Sequence, residues 1–298
     1  MTDQATIPYI LVCVDGSVAA LEAADWAADE AQSRSLPLML ATVADLRGFA
    51  YGPFMEASDS AFAAIEKSSR DLLAEAERRV GERHPSVSTA VSEKAGSPSA
   101  ELIALSRDAY LTVVGATGLG TIGSVLLGTV ASALVTNGHS PVAVIRGGDA
   151  TTTVPRTGPV VVGVDDGRGS ETAIGWAFDE ASRRRVALTV VHAGVGRPSD
   201  AARPRSRAGA TEDAEQDALL SARLTGWRDK YPDVRVHEIV AVDDATDSLL
   251  HHAAGAQLVV VGSRGHGDLT GLLFGSVSRT LIHRAPCPVL VARNSTTH

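Results

Sequence analysis

The feature of this sequence that most constrains the fold is a glycine pattern that occurs twice. The first copy runs from Gly115 to Gly118 and continues, after nine residues, with Gly128 and Thr129. The second copy lies 147 residues later and has Ser276 in place of the threonine. Each copy follows a short β-branched run and precedes an apolar stretch with helical spacing, which predicts a strand, a loop and a helix. The pattern therefore predicts one strand–loop–helix unit in each half of the chain.

The residue types in this pattern suit the binding of a phosphate group. Glycines let the backbone turn tightly and approach a ligand closely. A hydroxyl residue at the start of a helix can cap it or donate to a phosphate oxygen, and the free amides and the dipole at that helix end attract an anion. Alternatively, the glycines serve only turns and close packing of a helix on a sheet. Identical spacing in both halves favours the phosphate-binding interpretation.

Other parts of the two halves also correspond. The segment Trp26–Ala31 matches Trp176–Ala181 at an offset of 150 residues, and an acid follows the first predicted strand of each half, as Asp15 and Asp165. This order predicts an internal duplication and two domains. We expect the first domain at residues 1–146, a linker at 147–158 and the second domain at 159–298. Two irregular segments, 45–60 and 194–209, are long enough to act as binding loops or to be disordered.

Short apolar strands alternate with helices in both halves, which predicts an α/β fold with two tandem five-stranded parallel sheets. In the first half we expect strands at 9–14, 37–42, 87–91, 111–114 and 142–145, and helices at 19–34, 61–81, 100–108 and 129–137. In the second half we expect strands at 160–164, 187–192, 234–240, 258–261 and 289–292. Ligands of such sheets bind at the carboxyl ends of the strands, which places each acid beside its own glycine loop.

Charge and hydropathy exclude several classes of function. The formal net charge is −8, which argues against general binding to nucleic acid or acidic membranes. No apolar run is long enough for a membrane span, and residues 1–8 lack the basic and apolar segments of a secretory signal. Cys13 and Cys287 fall in predicted strands and are expected to be buried, not paired. These features predict a cytoplasmic protein.

The motifs resemble those of the universal stress protein family, in the tandem form common in actinobacteria. The resemblance rests on the glycine pattern, on the turn Asp15-Gly16-Ser17, on the Trp-Ala-x-Asp-Glu-Ala segment of the first helix, and on the ending from Arg284 to Val291. It implies two Rossmann-like domains of the adenine nucleotide alpha hydrolase-like type. Both halves keep the glycine pattern of the ATP-binding branch, which implies one ATP site in each domain, with Mg²⁺ carried on the phosphates.

The resemblance also implies which residues contact the nucleotide. In the first domain these are Asp15, Gly16, Ser17, Val43 at adenine, Val114, Gly115, Thr117, Gly118, Gly128, Thr129 and Val130. In the second domain they are Asp165, Asp166, Ala193, Val261, Gly262, Arg264, Gly265, Gly275, Ser276, Val277 and Ser278. Because Arg264 and Ser278 replace a threonine and an alanine of the first half, we predict that the second site binds ATP more tightly. The two acids could instead only initiate turns.

The implied function is a nucleotide-dependent regulator of stress response, dormancy or growth, acting on an unidentified signalling partner, and not a dedicated enzyme. The resemblance further implies packing through the fifth strands, 142–145 and 289–292, as an intramolecular pseudo-dimer, and homodimers are compatible with it. The main alternative is a slow ATP hydrolase or an adenylyl-transferring enzyme of related fold, with His266 as a base; a flavin-binding carrier is another. Gly118, Gly120 and Gly123 fit a nicotinamide-binding fingerprint, but the second half does not repeat it, which argues against a nicotinamide enzyme. No lysine follows a glycine, which excludes a P-loop enzyme.

Overall fold

The computed structural model divides the chain between Thr153 and Val154 into two compact units. Each unit contains its own five-stranded parallel sheet, which confirms the predicted fold class. No helix in the described part of the chain is long and apolar enough to cross a membrane. The structure describes residues 7–45, 59–117, 127–146, 157–165, 167, 169–193, 220–241, 244–263 and 275–293.

In the first unit, helices alternate with the strands along the chain, as predicted. The elements are β1 (Tyr9–Cys13), α1 (Val18–Arg34), β2 (Leu38–Ala44), α2 (Asp59–Arg83), β3 (Thr89–Ala95), α3 (Pro98–Leu105), β4 (Ala109–Gly115), α4 (Thr129–Asn137) and β5 (Val142–Ile145). The strand order is β3-β2-β1-β4-β5, and each neighbouring pair is parallel. The sheet therefore winds outward in both directions from the β1–β4 pair.

The second unit repeats this arrangement. Its elements are β6 (Val160–Val164), α5 (Gly169–Arg184), β7 (Leu188–Ala193), α6 (described over residues 220–230), β8 (Val236–Ala241), α7 (Ala245–Ala253), β9 (Leu258–Gly262), α8 (Ser276–Arg284) and β10 (Val289–Ala292). The order is β10-β9-β6-β7-β8, again with parallel pairs. Each strand of this unit thus has a counterpart in the first.

Two edge strands begin later than their apolar residues predict. We expected β3 to start at Val87 and β8 at Val234, but both valines lie in the turn that follows a helix. The Val87 amide donates to the His84 carbonyl at 3.0 Å, and the Val234 amide donates to the Tyr231 carbonyl at 3.1 Å. These local bonds hold the two valines in tight turns, so the strands start two residues further on.

Small residues bring α1 close to its sheet. Seven of its buried positions are alanines, so its backbone approaches β1 and β4 without large side chains between them. The helix ends where Ser35 adopts a left-handed conformation with φ of 53°, while the Leu36 amide donates to the Ala31 carbonyl. Arg185 ends α5 in the same way, with φ of 56°. The same chain reversal therefore leads into β2 and β7.

A buried ion pair lies near the carboxyl end of each of these two helices. Glu30 pairs with Arg34 in α1, and Glu180 pairs with Arg184 in α5 at 2.8 Å. Arg184 also donates to the side chain of Gln257 at 3.1 Å. A buried carboxylate is tolerated only when it is paired in this manner. The pairs fix the helix ends that lie farthest from the turns after β1 and β6, which contain Asp15 and Asp165 and are called the acid turns below.

Candidate functional site

The acid turn and the glycine pattern of each unit lie on neighbouring strands. In the first unit Val12 pairs with Val113, which places Asp15 level with Ala116, directly after β4. In the second unit the corresponding pairing places Asp165 level with Ser263, directly after β9. Right-handed connections from a central pair of strands put the following helices on opposite faces. A crevice therefore opens at this edge, where the winding direction reverses.

The first acid turn requires a glycine at its centre. Gly16 has φ of +83°, and a Cβ there would lie 2.7 Å from Leu72 Cδ2. Asp15 Oδ1 accepts the Ser17 amide at 2.9 Å, so the aspartate does initiate a turn. Ser17 Oγ accepts the Ala20 amide at 3.1 Å and caps α1. Asp15 is exposed, and its second carboxylate oxygen bonds to none of the described residues, so it remains accessible to a ligand.

Hydrogen bonds join this acid turn to the glycine pattern. The Ser17 hydroxyl donates to the Thr117 carbonyl at 3.4 Å. The Gly128 amide donates to the Ala116 carbonyl at 2.7 Å. The start of α1, the residues after β4 and the start of α4 are thus held together at one edge of the sheet. Of the predicted site residues, the structure therefore brings Asp15, Ser17, Thr117 and Gly128 together.

The glycines of the pattern have different roles. We expected Gly115 in the loop, but it is the last residue of β4, and Gly262 is the last residue of β9; Val114 and Val261 precede them within the strands. A Cβ at Gly115 would lie 2.8 Å from the Ala19 carbonyl carbon of α1. Close packing of helix on sheet therefore explains this glycine without a ligand.

The backbone conformation does not explain the last glycine of either copy. Gly275 has φ of −71° and ψ of 153°, and Gly128 has φ of −60° and ψ of 154°, which any residue can adopt. Of the described atoms, only Ser278 Oγ would lie near a Cβ at Gly275, at an ordinary contact distance of 3.8 Å. Backbone conformation therefore requires glycine at neither position, and at Gly275 the described neighbours leave room for a side chain. Because glycine has no side chain, the first amides of the following helix have no side-chain acceptor at the N-cap, and we call such a helix end open.

Both helix ends have amides without a side-chain cap. Gly128 and Gly275 are the N-cap residues of α4 and α8, and they have no side chain that could accept these amides. The first bond within α4 runs from the Ser132 amide to the Gly128 carbonyl, so the three preceding amides point out of the helix end. Thr129 and Ser276 are exposed beside these amides. Each helix end can accept an anion.

Ser278 differs from our expectation. We predicted that its hydroxyl adds to the second site, but Ser278 is buried and its hydroxyl donates to the Gly262 carbonyl at 3.0 Å. The bond ties α8 to the end of β9. The hydroxyl hydrogen is thus already used within the protein, and the predicted advantage of the second site depends less on this residue.

The second acid turn is longer but keeps the same first bond. Asp165 Oδ1 accepts the Gly167 amide at 2.9 Å and also the Ser170 hydroxyl at 2.5 Å. The Ser170 oxygen in turn accepts the Asp165 amide at 2.8 Å. The spacing from this aspartate to the helix tryptophan is the same in both halves, but α5 starts at Gly169, one position later than α1 starts in the first unit. In the first unit Ser17 bonds to Thr117 of the glycine pattern, whereas in the second unit Ser170 bonds to Asp165 within its own turn.

Sequence reasoning missed Arg223, which holds the second turn from the side. Its Nη1 donates to the Asp165 carbonyl at 2.8 Å, and its Nη2 lies 3.8 Å from Glu171 Oε2. The arginine follows the buried Leu220 and precedes the buried Leu224 in α6. The sequence signals only that Arg223 lies between buried leucines of this helix, and that pattern does not predict its contact with Asp165.

The residues expected at adenine lie within strands, not after them. Val43 is inside β2, and Ala193 is the last residue of β7. The Ala41 carbonyl accepts the Val14 amide at 2.8 Å, on the β1 side. Because backbone groups alternate along a strand, the Val43 carbonyl also faces the β1 side, beyond the end of β1. This backbone position is compatible with the expected contact.

Both cysteines are free and buried, as expected. Burial raises the pKa of each thiol to about 12, and the Asp15 charge adds to the effect at Cys13. Cys287 precedes β10 and is not part of it. Within the described residues no cluster of His, Cys, Asp or Glu could hold a metal ion. Several predicted positions lie outside the described residues, namely Gly118, Asp166, Arg264, Gly265, His266, the linker up to residue 156 and most of the two irregular segments.

Comparison with known proteins gives consistent results for both halves. The model of the universal stress protein family matches residues 8–146 and 157–293. A universal stress protein of Mycobacterium tuberculosis strain H37Rv is 38% identical over 293 residues, which cover 96% of this chain and 97% of that protein. A universal stress protein structure from Archaeoglobus fulgidus covers 96% of this chain and 98% of its own, with a TM-score of 0.70 and 18% identity. A universal stress protein solved in complex with cAMP covers 47% of this chain and 98% of its own, with a TM-score of 0.34 and 26% identity.

Proposed function

The chain belongs to the universal stress protein family, with one family domain in each half, and we propose that it is an ATP-binding regulator with one nucleotide site in each domain. In this proposal the triphosphate binds at the N-terminus of α4 or α8 and carries its own Mg²⁺. Asp15 or Asp165 accepts hydrogen bonds from the ribose. Adenine contacts the backbone at Val43 or Ala193.

The observation that carries the proposal is the open helix end at Gly128 and Gly275. Glycine is a poorer N-cap than serine, asparagine or aspartate, so glycine at these two N-cap positions makes each helix less stable than one of those residues would. Backbone conformation does not require it at either position, and at Gly275 a Cβ would fit. Free amides and the helix dipole at a strand-to-helix crevice are well suited to phosphate. An anion bound there would satisfy the amides that the protein leaves without a side-chain cap.

Binding at these sites would change the stability of the segments that form them. The first acid turn is bonded to Thr117, the last described residue before the loop, through Ser17. A ligand that contacts both the turn and the helix end would therefore add contacts between these two segments. Ligand binding at 100 times the Kd adds about 2.7 kcal/mol to the stability of the folded state. Such a gain can change which surface a signalling partner meets, as in control of a stress response, dormancy or growth in the cytoplasm.

The first test is the nucleotide content of freshly purified protein. The protein is denatured, the released small molecules are separated by chromatography, and moles of nucleotide per chain are counted. We expect about two moles of adenine nucleotide, mostly ATP, since two open helix ends are present. Mostly ADP would favour the alternative of an ATP hydrolase. No nucleotide, together with no rise in melting temperature when ATP or cAMP is added, would refute the proposal.

A further inference from the structure

Arg146 lies at the same edge of the first sheet as the open helix end. It directly follows β5, in which Ile145 pairs with Gly115. The Ile145 carbonyl accepts the Ala116 amide at 2.7 Å, and the Ala116 carbonyl accepts the Gly128 amide at 2.7 Å. Arg146 is therefore level with Ala116, directly after the neighbouring strand. Ala116 in turn bonds to Gly128, the N-cap residue of α4.

The alternation of side chains determines the face from which Arg146 leaves the sheet. A Cβ at Gly115 would contact Ala19, so Gly115 faces α1. Its register partner Ile145 shares that face, and the next residue points to the opposite face. That opposite face is the one on which α3 and α4 pack together. The Arg146 side chain thus starts at the edge and on the face where the N-terminus of α4 lies.

The guanidinium of Arg146 is half-buried and has no countercharge in the described part of the chain. None of its hydrogen bonds or ion pairs involves a described residue. Burial lowers its pKa from the ordinary value, because desolvation penalises the charged form and no described carboxylate offsets the cost. An arginine nevertheless stays charged at neutral pH. A desolvated cation of this kind is stabilised when an anion binds next to it.

The second half repeats the position. Arg293 directly follows β10, Ala292 pairs with Gly262, and the Ala292 carbonyl accepts the Ser263 amide at 2.9 Å. An arginine therefore stands one residue beyond the fifth strand in both units, next to the residue that follows the first glycine of the pattern. Arg293 makes contacts of its own within the structure, so Arg146 is the clearer case.

We propose that Arg146 binds the terminal phosphates of the nucleotide in the first site. This inference rests on the proposed function and extends it, since the sequence indicated a cation only for the second site. The guanidinium would neutralise phosphate charge opposite the α4 amides, and its planar donors suit bidentate contact with phosphate oxygens. The first site would then prefer ATP to AMP, because only the triphosphate extends to both groups.

The test measures ATP and AMP affinities by titration calorimetry in the full-length protein. The parent carries Gly275→Asp, which blocks the second site, and the variant adds Arg146→Gln. The control adds Arg107→Gln instead. This substitution makes the same charge change at an exposed position just before the amino end of β4, whereas the site lies at its carboxyl end. We expect Arg146→Gln to weaken ATP binding at least tenfold and AMP binding less than threefold. The control should change neither affinity.

The ligand-free melting temperature provides an independent measurement. Because Arg146 makes no hydrogen bond or ion pair with the described residues, its replacement should leave the melting temperature unchanged or raise it. Equal ATP affinity in parent and variant would overturn the inference, and so would an equal loss for ATP and AMP, which would indicate a structural role. A parent that prefers AMP or binds both equally would overturn it as well. A parent and a wild type that bind no nucleotide would refute the proposed function itself.

Discussion

Replacing Gly275 with aspartate should stabilise the ligand-free second domain and remove its nucleotide site. The substitution adds a capping carboxylate to a helix end that has none. The backbone already has the extended conformation of an N-cap residue, with φ of −71° and ψ of 153°. The nearest described atom to the new Cβ is Ser278 Oγ at 3.8 Å, so the side chain fits without displacement of its described neighbours.

The size of the stability effect follows from helix capping. Aspartate is better than glycine at the N-cap by a few tenths of a kcal/mol, and its charge at the positive end of the dipole adds about 0.3–1 kcal/mol. We therefore expect the free energy of unfolding to rise by about 0.5–1 kcal/mol. In a domain of this size that corresponds to an increase in melting temperature of about 1–4 °C.

The effect on binding has the opposite sign. The carboxylate occupies the amides of α8 and repels phosphate, and two like charges 4 Å apart near a protein surface interact by about 4 kcal/mol. We expect ATP affinity at the second site to fall on the order of 10²- to 10³-fold. Calorimetric titration should show the loss of one of two binding events, and scanning calorimetry without nucleotide should show the gain in stability.

Two further variants make the experiment decisive. Gly128→Asp should produce the same pair of effects in the first site. Gly255→Asp makes the same charge change at the amino end of β9, where nothing described lies within 4 Å of a Cβ, and should leave ATP affinity unaltered. Unchanged ATP binding in both Gly275→Asp and Gly128→Asp would show that the open helix ends do not bind phosphate. A lower ligand-free melting temperature would refute the capping argument.

Three other substitutions test the fold. Gly115→Ala should destabilise the protein by about 1–3 kcal/mol in thermal melting, because its Cβ would lie 2.8 Å from the α1 backbone. Hydrogen bonds at the start of α7 lower the pKa of the Asp244 carboxyl, so Asp244→Ala should reduce the free energy of unfolding at pH 7. This loss of stability should shrink as the pH falls below about 4, the ordinary range for the pKa of aspartate. A loss that stays constant with pH would contradict the argument. Glu180→Ala should cost about 3–5 kcal/mol in denaturant unfolding, because Arg184 loses a buried partner, whereas exposed Glu75→Ala should cost less than about 1 kcal/mol.

Local patterns in the sequence are sufficient to predict the family, the fold class and the succession of strands and helices along the chain. Apolar runs such as Leu258 to Val261 predict a buried strand wherever they occur in a chain, and the duplication supplies each prediction twice. The acid turns also follow from local chemistry, since an aspartate accepts the amide two residues further on in both halves. Interactions over a few residues decide these features, so composition and spacing reveal them.

The roles of individual residues in the crevice depend on contacts between distant parts of the chain. Gly115 and Gly275 belong to the same pattern, yet the first packs against α1 and the second leaves a helix end open. Arg223 reaches Asp165 from 58 residues away, and Arg146 becomes a neighbour of Ala116 only because β5 pairs with β4. By itself the sequence determined the repeat, its strands and the position of the crevice. Only the tertiary structure decided which glycines and arginines lie near the carboxyl ends of the central strands, because the pairing of strands in the sheet and the packing of helices, not spacing along the chain, set those distances.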